Sequence, residues 1–304
     1  MQPKAKKDWR QVDGVLLLDK PFGMTSNDAL QKARRLFSAA KGGHTGTLDP
    51  LASGLLPLCF GEATKFSADL LDADKTYEAE LRLGVVTDSG DAEGVVVATA
   101  AVNVVEDDVR SVLPRFVGDI LQVPPMHSAL KRDGRPLYEL ARQGIVVERA
   151  ARSVTIHAIE LLGCAGDVVR LRVDCSKGTY IRVLAADIGR ALGCGAHLGA
   201  LRRTAVGGLD VGQAVTLAAL EAVDEAARGA WLRPVDALLQ DLPSVAVDGE
   251  AALRFAHGNP VDLPAGLAGR IRVYAGGCLL GTGEPGGDGR LWPKRLVRLG
   301  ANAS

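Results

Sequence analysis

Aromatic residues are scarce in this chain, where Phe, Trp and Tyr make up 4% of 304 residues, and no uninterrupted apolar stretch reaches membrane-spanning length. The basic N-terminus MQPKAKKDWR is not followed by the apolar segment and small-residue cleavage site of a secretory signal. Neither a transmembrane protein nor a secreted one is therefore expected, and the cytoplasm is the predicted location. Cysteine is also short: Cys59, Cys164, Cys175, Cys194 and Cys278 are an odd number, widely scattered, without a C-x-x-C pair or a histidine at ligand spacing. That pattern excludes a disulfide framework and a local zinc motif, and suits buried thiols in a reducing compartment. Net charge is missing too, because 36 basic residues balance 36 acidic ones.

A neutral total argues against nucleic acid as a partner only if the charges are evenly spread. They are not: Lys32, Arg34, Arg35 and Lys41 occur with no acid between residues 31 and 44, and Arg290, Lys294, Arg295 and Arg298 crowd the other end. Acids gather at 69–74 and 88–93. The pattern allows a basic face, although any one cluster taken alone reads equally as solvated surface. The 47% hydrophobic composition provides for a substantial core, and the length suits two domains.

Local patterns set out the elements. GVLLL, stopped by DKPFG, reads as a buried strand, and Thr25 and Ser26 offer caps for a helix to about Phe37. LLPLCFG reads as an edge strand because of Pro57, with a helix near 62–71 after it. KTYEAELRL alternates, placing Tyr77, Ala79, Leu81 and Leu83 on one face. Strands are expected near 94–101, 117–123, 152–162 and 168–175, with helices near 106–115, 137–143, 177–192 and 217–227. The irregular order of helices and strands points to an α+β fold, a mixed, largely antiparallel sheet with packed helices. DLP at 241–243 reads as a linker to a small β-rich domain from about 245.

Asp49 in GGHTGTLDPLASG stands among apolar neighbours, where a carboxylate is costly unless paired. An Asp-Pro turn that caps backbone N–H groups is one reading, and a nucleophile or acid–base group is the other. Arg182 in the first turn of a helix opposes the macrodipole and calls for an anion, unless it is a solvent-exposed arginine. Tyr77 is a core tyrosine or a ring for a planar substrate, and His44 a loop hydrogen-bonder or a participant. A P-loop, a G-x-S-x-G elbow and a G-x-G-x-x-G turn are all absent. Cofactor-free aspartate chemistry is the enzymatic option that remains.

Five stretches in order, LLLDKPFGMTSND, GGHTGTLDPLASGLLPLCFGEATKF, KTYEAELRLGVVTDSGDAEG, PPMHSALKRDGRPLYELARQG and SKGTYIRVLAADIG, resemble the TruB family of bacterial tRNA pseudouridine synthases. The likeness covers about 14–240. It implies a basic tail at 1–13, a pseudouridine synthase domain at 14–242 with an RNA-binding insert at 126–142, and a PUA-like RNA-binding domain at 245–304. It implies that Asp49 is catalytic, that Tyr77 stacks on the base and handles a sugar proton, and that Arg182 pairs with Asp49. Tyr180 is implied as a pocket residue, Lys20 and Pro21 as support, and His44 as the residue that helps flip the uridine. Lys131, Arg132, Arg135 and Arg142 of the insert are the implied RNA contacts. His127 stands where the family often has tyrosine, which leaves a contact there open.

The implied reaction isomerises the T-loop uridine at tRNA position 55 without a cofactor or metal. The C1′–N1 bond breaks, the base rotates, and C1′ rejoins at C5. Attack of Asp49 on C1′ and a first elimination at C2′ are both compatible with these residues. The glycines around Asp49 are expected to let the flipped nucleotide approach the backbone. The partner implied is the tRNA T-arm, with no membrane and no protein partner, and a monomer is expected. A protein of the same scaffold that binds or folds RNA without turnover is the alternative. An aspartate-dependent glycosidase lacks an evident second acid.

Overall fold

The computed structural model describes residues 8–298 apart from 129, 133, 264 and 265. Strand β1 (Gly14–Lys20) is the apolar run that opens the chain, and its four central residues are buried. Helix α1 (Ser26–Phe37) begins where expected, because the Thr25 hydroxyl accepts from the Asp28 N–H. It ends at Ser38, whose left-handed backbone directs its own N–H back to the last turn. Ala29, Leu30, Ala33 and Phe37 form its buried stripe, each large side chain contributing about 1.5–3 kcal/mol. Strands β2 (Gly42–His44) and β3 (Ala52–Phe60) flank the Asp49 loop, and a 3₁₀ segment, Gly61–Phe66, runs into the short α2 (Ser67–Leu71).

Strand β4 (Lys75–Leu83) alternates as its sequence predicts, with Ala79, Leu81 and Leu83 buried. The hairpin of β5 (Val85–Thr87) and β6 (Val96–Thr99) follows, then α3 (Glu106–Val112) and β7 (Gly118–Gln122). Next come a small hairpin, β8 (Lys131–Arg132) and β9 (Arg135–Pro136), and α4 (Leu137–Arg142). The long β10 (Arg152–Ala165) and β11 (Val168–Cys175) precede α5 (Ile181–Ala191) and β12 (Ala196–Val206). Short pieces complete the unit: β13 (Leu209–Asp210), β14 (Val215–Thr216), α6 (Leu217–Ala222), α7 (Glu225–Arg228) and β15 (Leu232–Arg233).

One sheet runs β14-β1-β3-β12-β4-β11-β10-β7, with β15, β2 and β13 attached to β1, β3 and β12. Only β1 with β14 and β3 with β12 are parallel, so the sheet is mixed and largely antiparallel as expected. Two cores lie along it. Helix α1 packs with Leu16, Leu18, Leu56, Leu58 and Phe60, while α3 and α5 pack with Ala79, Leu81, Leu83, Val169 and Leu171. Tyr77 and Leu201 touch both cores and mark the seam between them.

A second sheet, β16-β18-β19-β20-β17, is built from β16 (Ser244–Ala246), β17 (Val261–Asp262), β18 (Ile271–Ala275), β19 (Cys278–Pro285) and β20 (Arg290–Leu296). It surrounds its own core with Phe255 of α8 (Gly249–Ala256). Polar contacts tie it to the first unit: Lys65 Nζ donates to the Leu296 carbonyl at 2.8 Å, Tyr274 donates to Asp236 at 2.6 Å, and Arg270 pairs with Asp69.

Three expectations are corrected. Strand β3 is central rather than an edge, and Pro57 is tolerated for a local reason. Its carbonyl accepts from Thr45 N–H, on the side away from β1, where β12 pairs only Ala52–Gly54 and β2 only Leu58–Phe60. The missing N–H faces that gap and breaks no ladder bond. Strand β12, the middle of the sheet, has no counterpart among the sequence-predicted strands, because bulges at Leu198/Ala200 and Arg203/Ala205 interrupt its alternation. The helix expected near 217–227 is two, since Val223 turns extended after Ala222 and Asp224 caps the next helix by accepting from Ala227 N–H.

Parallel pairing also sets Gly54 against Arg203 of β12. Gly54 has φ +101°, and a Cβ there would lie 2.3 Å from the Arg203 carbonyl oxygen. Gly54→Ala is expected to lose at least about 2 kcal/mol in urea denaturation. Gly43→Ala, whose Cβ meets nothing within 4 Å, is expected to change stability by no more than about 0.5 kcal/mol. Equal losses at the two positions would contradict the packing assigned to Gly54.

Candidate active site

The loop that carries Asp49 is held from three sides. Ser26, buried at the start of α1, donates its hydroxyl to the Leu48 carbonyl at 2.9 Å and accepts the Leu48 N–H at 2.8 Å. Gly23 N–H donates to the Pro50 carbonyl at 2.8 Å, and Ala52 N–H to the Asp49 carbonyl at 3.0 Å. The backbone is thus fixed while the Asp49 side chain remains 44% exposed.

Arg182 is the second residue of α5, with Tyr180 at the N-cap position. The helix begins at Ile181 rather than at Lys177, and Arg182 is buried, which corrects the solvent-exposed alternative. Its Nη2 lies 3.1 Å from Asp49 Oδ2, and its Nη1 3.1 Å from Asp91 Oδ2. The guanidinium also donates to the carbonyls of His127 at 2.6 Å and Ser89 at 3.4 Å. The anion that the helix dipole calls for is present twice. Asp91 is itself held, since Oδ1 accepts from Ser89 Oγ at 2.6 Å and Glu93 N–H at 3.1 Å. The contact at 127 comes from a main-chain carbonyl, which a tyrosine there would supply equally.

Burial pushes the Asp49 carboxyl above the ordinary carboxylate range; Arg182 pulls it back, and Asp91 opposes Arg182. Lys20, the last residue of β1 and 0% exposed, closes the 21–24 turn by donating to the carbonyls of Pro21 at 3.0 Å and Met24 at 2.6 Å. Burial lowers it to about 8, against the attraction of Asp49. Pro21 begins that turn on the surface. Tyr77 is half-buried on β4, and burial raises its phenol. His44 sits on β2 opposite Leu58, its ring pushed towards the neutral form by burial and by Arg203, and its Nδ1 has no partner among the described residues.

Tyr180 is clamped through its backbone: its N–H donates to Gln122 Oε1 at 2.9 Å, and Gln122 Nε2 donates to its carbonyl at 3.3 Å. The insert's basic residues stand apart from this cluster. Arg132 donates to the Glu148 carbonyl at 2.7 Å, Arg135 to Gln143 at 3.0 Å, and Arg142 lies over the Tyr138 ring. The Lys131 side chain lies outside the described residues.

Sequence reasoning missed Asp91 and Arg203. The acid-rich 88–93 stretch was the available signal for Asp91, and for Arg203 there was none, because the bulged strand concealed which arginine of the pair turns inwards. The expected purpose of the glycines also changes at Gly54, where the close neighbour is the backbone of β12 rather than a ligand. Among the described residues no group of three His, Cys, Asp or Glu is placed to hold a metal, and no helix is long and apolar enough to cross a membrane.

Family models match in succession. Residues 34–181 match the TruB family pseudouridylate synthase (N terminal domain), 182–240 the tRNA pseudouridylate synthase B C-terminal domain, and 243–297 the Pseudouridine synthase II TruB, C-terminal model. A curated relative, tRNA pseudouridine synthase B of Dechloromonas aromatica (strain RCB), is 75% identical over 294 residues, covering 97% of this chain and 98% of the relative. The protein of the same name from Aromatoleum aromaticum (strain DSM 19018 / LMG 30748 / EbN1) is 60% identical over 304 residues, covering 99% of each. Among solved structures, a chain of an H/ACA RNP bound to a substrate RNA containing 2'-deoxyuridine superposes with TM-score 0.72 at 25% identity, covering 98% of this chain and 92% of that one. A chain of a Cbf5-Nop10-Gar1 complex gives 0.69 at 30%, covering 89% and 78%.

The raised Asp49 carboxyl makes a stability prediction. A carboxyl whose folded value exceeds its unfolded one favours folding below the ordinary range, and that benefit is lost as pH rises through the folded value. Ionised Asp49 therefore burdens the fold at neutral pH. Asp49→Asn, which leaves Arg182 paired with Asp91, is expected to raise the melting temperature at pH 7, the gain shrinking as pH falls towards 3.8. A melting temperature below wild type at pH 7 would contradict this electrostatic account.

Proposed function

The chain belongs to the TruB family of pseudouridylate synthases, and from that premise we propose that it converts the T-loop uridine of tRNA, position 55, to pseudouridine. The observation that carries the reading is a half-exposed carboxylate on a fixed loop, held by a buried arginine that a second carboxylate anchors. A protein that only bound RNA would have no use for a costly arrangement of this kind.

In this reading the flipped nucleotide brings its C1′ to Asp49, which supports cleavage of the C1′–N1 bond. Arg182 keeps the carboxylate ionised and aimed. The detached uracil rotates, C1′–C5 forms, the C5 proton leaves, and N1 carries a proton in the product. No atoms are gained or lost, so no cofactor is required. Tyr77, neutral at the seam of the two cores, stacks on the base and handles a sugar proton through its hydroxyl. Tyr180 lines the pocket, Lys20 and Pro21 hold the turn that supports Pro50, and His44 helps take the uridine out of its loop.

The RNA is held by shape and phosphate contacts. The 126–142 insert supplies Lys131, Arg132, Arg135 and Arg142, and the PUA-like unit from about 245 supplies a further surface. In this reading the protein works on tRNA in the cytoplasm and as a monomer.

Release of tritium from a T-arm RNA labelled at C5 of the target uridine tests the reading. Wild type is expected to release it. Asp49→Asn is expected to release none while its affinity for the same RNA stays within about tenfold, about 1.4 kcal/mol. Failure of wild type to release tritium, or substantial turnover by the variant, would overturn the proposal.

A further inference from the structure

Gln122 ends β7, the strand at one edge of the large sheet, yet it is only 2% exposed. A buried amide is costly unless both of its ends find partners, and an apolar side chain of similar volume would fill the space at less cost. Both ends of Gln122 go to one residue. Oε1 accepts the Tyr180 N–H at 2.9 Å, and Nε2 donates to the Tyr180 carbonyl at 3.3 Å. Tyr180 is the N-cap residue of α5, and its own side chain makes no capping bond. The turn before it exposes Lys177 and Gly178, with Gly178 at φ +78°. Gln122 thus grips the main chain at a helix start that follows an exposed turn.

Arg182 comes two residues later. Its Nη2, the nitrogen 3.1 Å from Asp49 Oδ2, also donates to the His127 carbonyl at 2.6 Å. Residues 123–126 join His127 to Gln122, and Pro124 and Pro125 restrict the backbone between them. One short segment therefore holds α5 twice, by the Tyr180 main chain and by the Arg182 guanidinium. The cation sits in a first helical turn, where the dipole alone disfavours it. A displacement of about 1 Å at such a group can cost on the order of a hundredfold in rate.

We propose that Gln122 is a positioning residue for the reaction: by holding the Tyr180 main chain it sets where Arg182 meets Asp49. Its part in the reaction rests on the isomerase reading above, whereas its part in placing the ion pair does not. The role needs a donor and an acceptor at once, which an apolar residue lacks and an ionised glutamate has only by half.

Gln122→Met, of similar shape, removes both bonds. Single-turnover tritium release from saturating T-arm RNA is expected to fall roughly tenfold or more per folded molecule, with RNA affinity unchanged within about threefold. The Asp49 carboxyl, followed by carbon NMR, is expected to titrate higher than in wild type, because Arg182 is a group that pulls it down. Gln122→Glu provides the rescue: a protonated carboxyl accepts and donates as the amide does, and an ionised one only accepts. Its rate relative to wild type is expected to be depressed near about pH 8 and to recover several-fold towards about pH 5. A residue that only stabilised the helix would lower the melting temperature and leave the rate per folded molecule and the Asp49 titration as in wild type, a result that would overturn the proposal. Should the methionine variant fail to fold, the glutamate variant decides, and a ratio to wild type that does not change with pH would overturn it. If wild type releases no tritium, the isomerase reading fails by itself, and the Asp49 titration decides the placement of the pair: an unmoved titration in Gln122→Met would overturn it.

Discussion

The guanidinium of Arg182 draws four separate pieces of chain to one point. It leaves the first turn of α5, where a cation is unfavourable, and meets Asp49 of the β2–β3 loop, Asp91 of the β5–β6 turn, and the carbonyls of Ser89 and His127. Because the side chain is only 7% exposed, loss of both carboxylates would leave charge that water cannot easily screen. The consequence is mutual: Asp49 is aimed by Arg182, and Arg182 is aimed by Asp91. The base of the 126–142 insert is attached to the same group through His127.

Around that point, burial moves every shifted side chain of the site towards its uncharged form. Lys20 falls to about 8, His44 falls, and Asp49 and Tyr77 rise. Two arginines remain as permanent charges because a guanidinium does not give up its proton in this range. One faces carboxylates and the other donates to main-chain carbonyls. The site thus keeps two fixed positive charges among groups whose charged forms burial disfavours, an environment suited to charge that develops during reaction.

The seam between the cores explains why such a site is rigid. Helix α1 anchors the Asp49 loop through Ser26, α5 anchors Arg182, and β4 with β12 presents Tyr77 across from Arg203. Each anchor belongs to a packed element, so positions are set by the core rather than by the loops. The second sheet joins the same body: Leu279 and Val297 pack against the core that contains Phe66 and Leu70, and Lys65 and Asp69 bond to it on either side.

Periodicity and capping, which depend on residues a few positions apart, were legible in the sequence. They define β1, α1 with its Thr25 cap, and β4 with its alternation, and they marked Asp49 and Arg182 as charges in need of partners. The ordered motifs went further and identified the family. Tertiary structure alone decided the rest. Pro57 looks like an edge signal until the gap between β2 and β12 is seen, and the bulges of β12 erase the pattern that would have revealed the central strand. Asp91 and Arg203 were chosen as partners by contacts across the sheet and between loops. A sequence states which side chains are charged, but which of them lose their water depends on what the fold places beside them, and that exclusion of water separates Arg203 in the core from Arg202 at the surface.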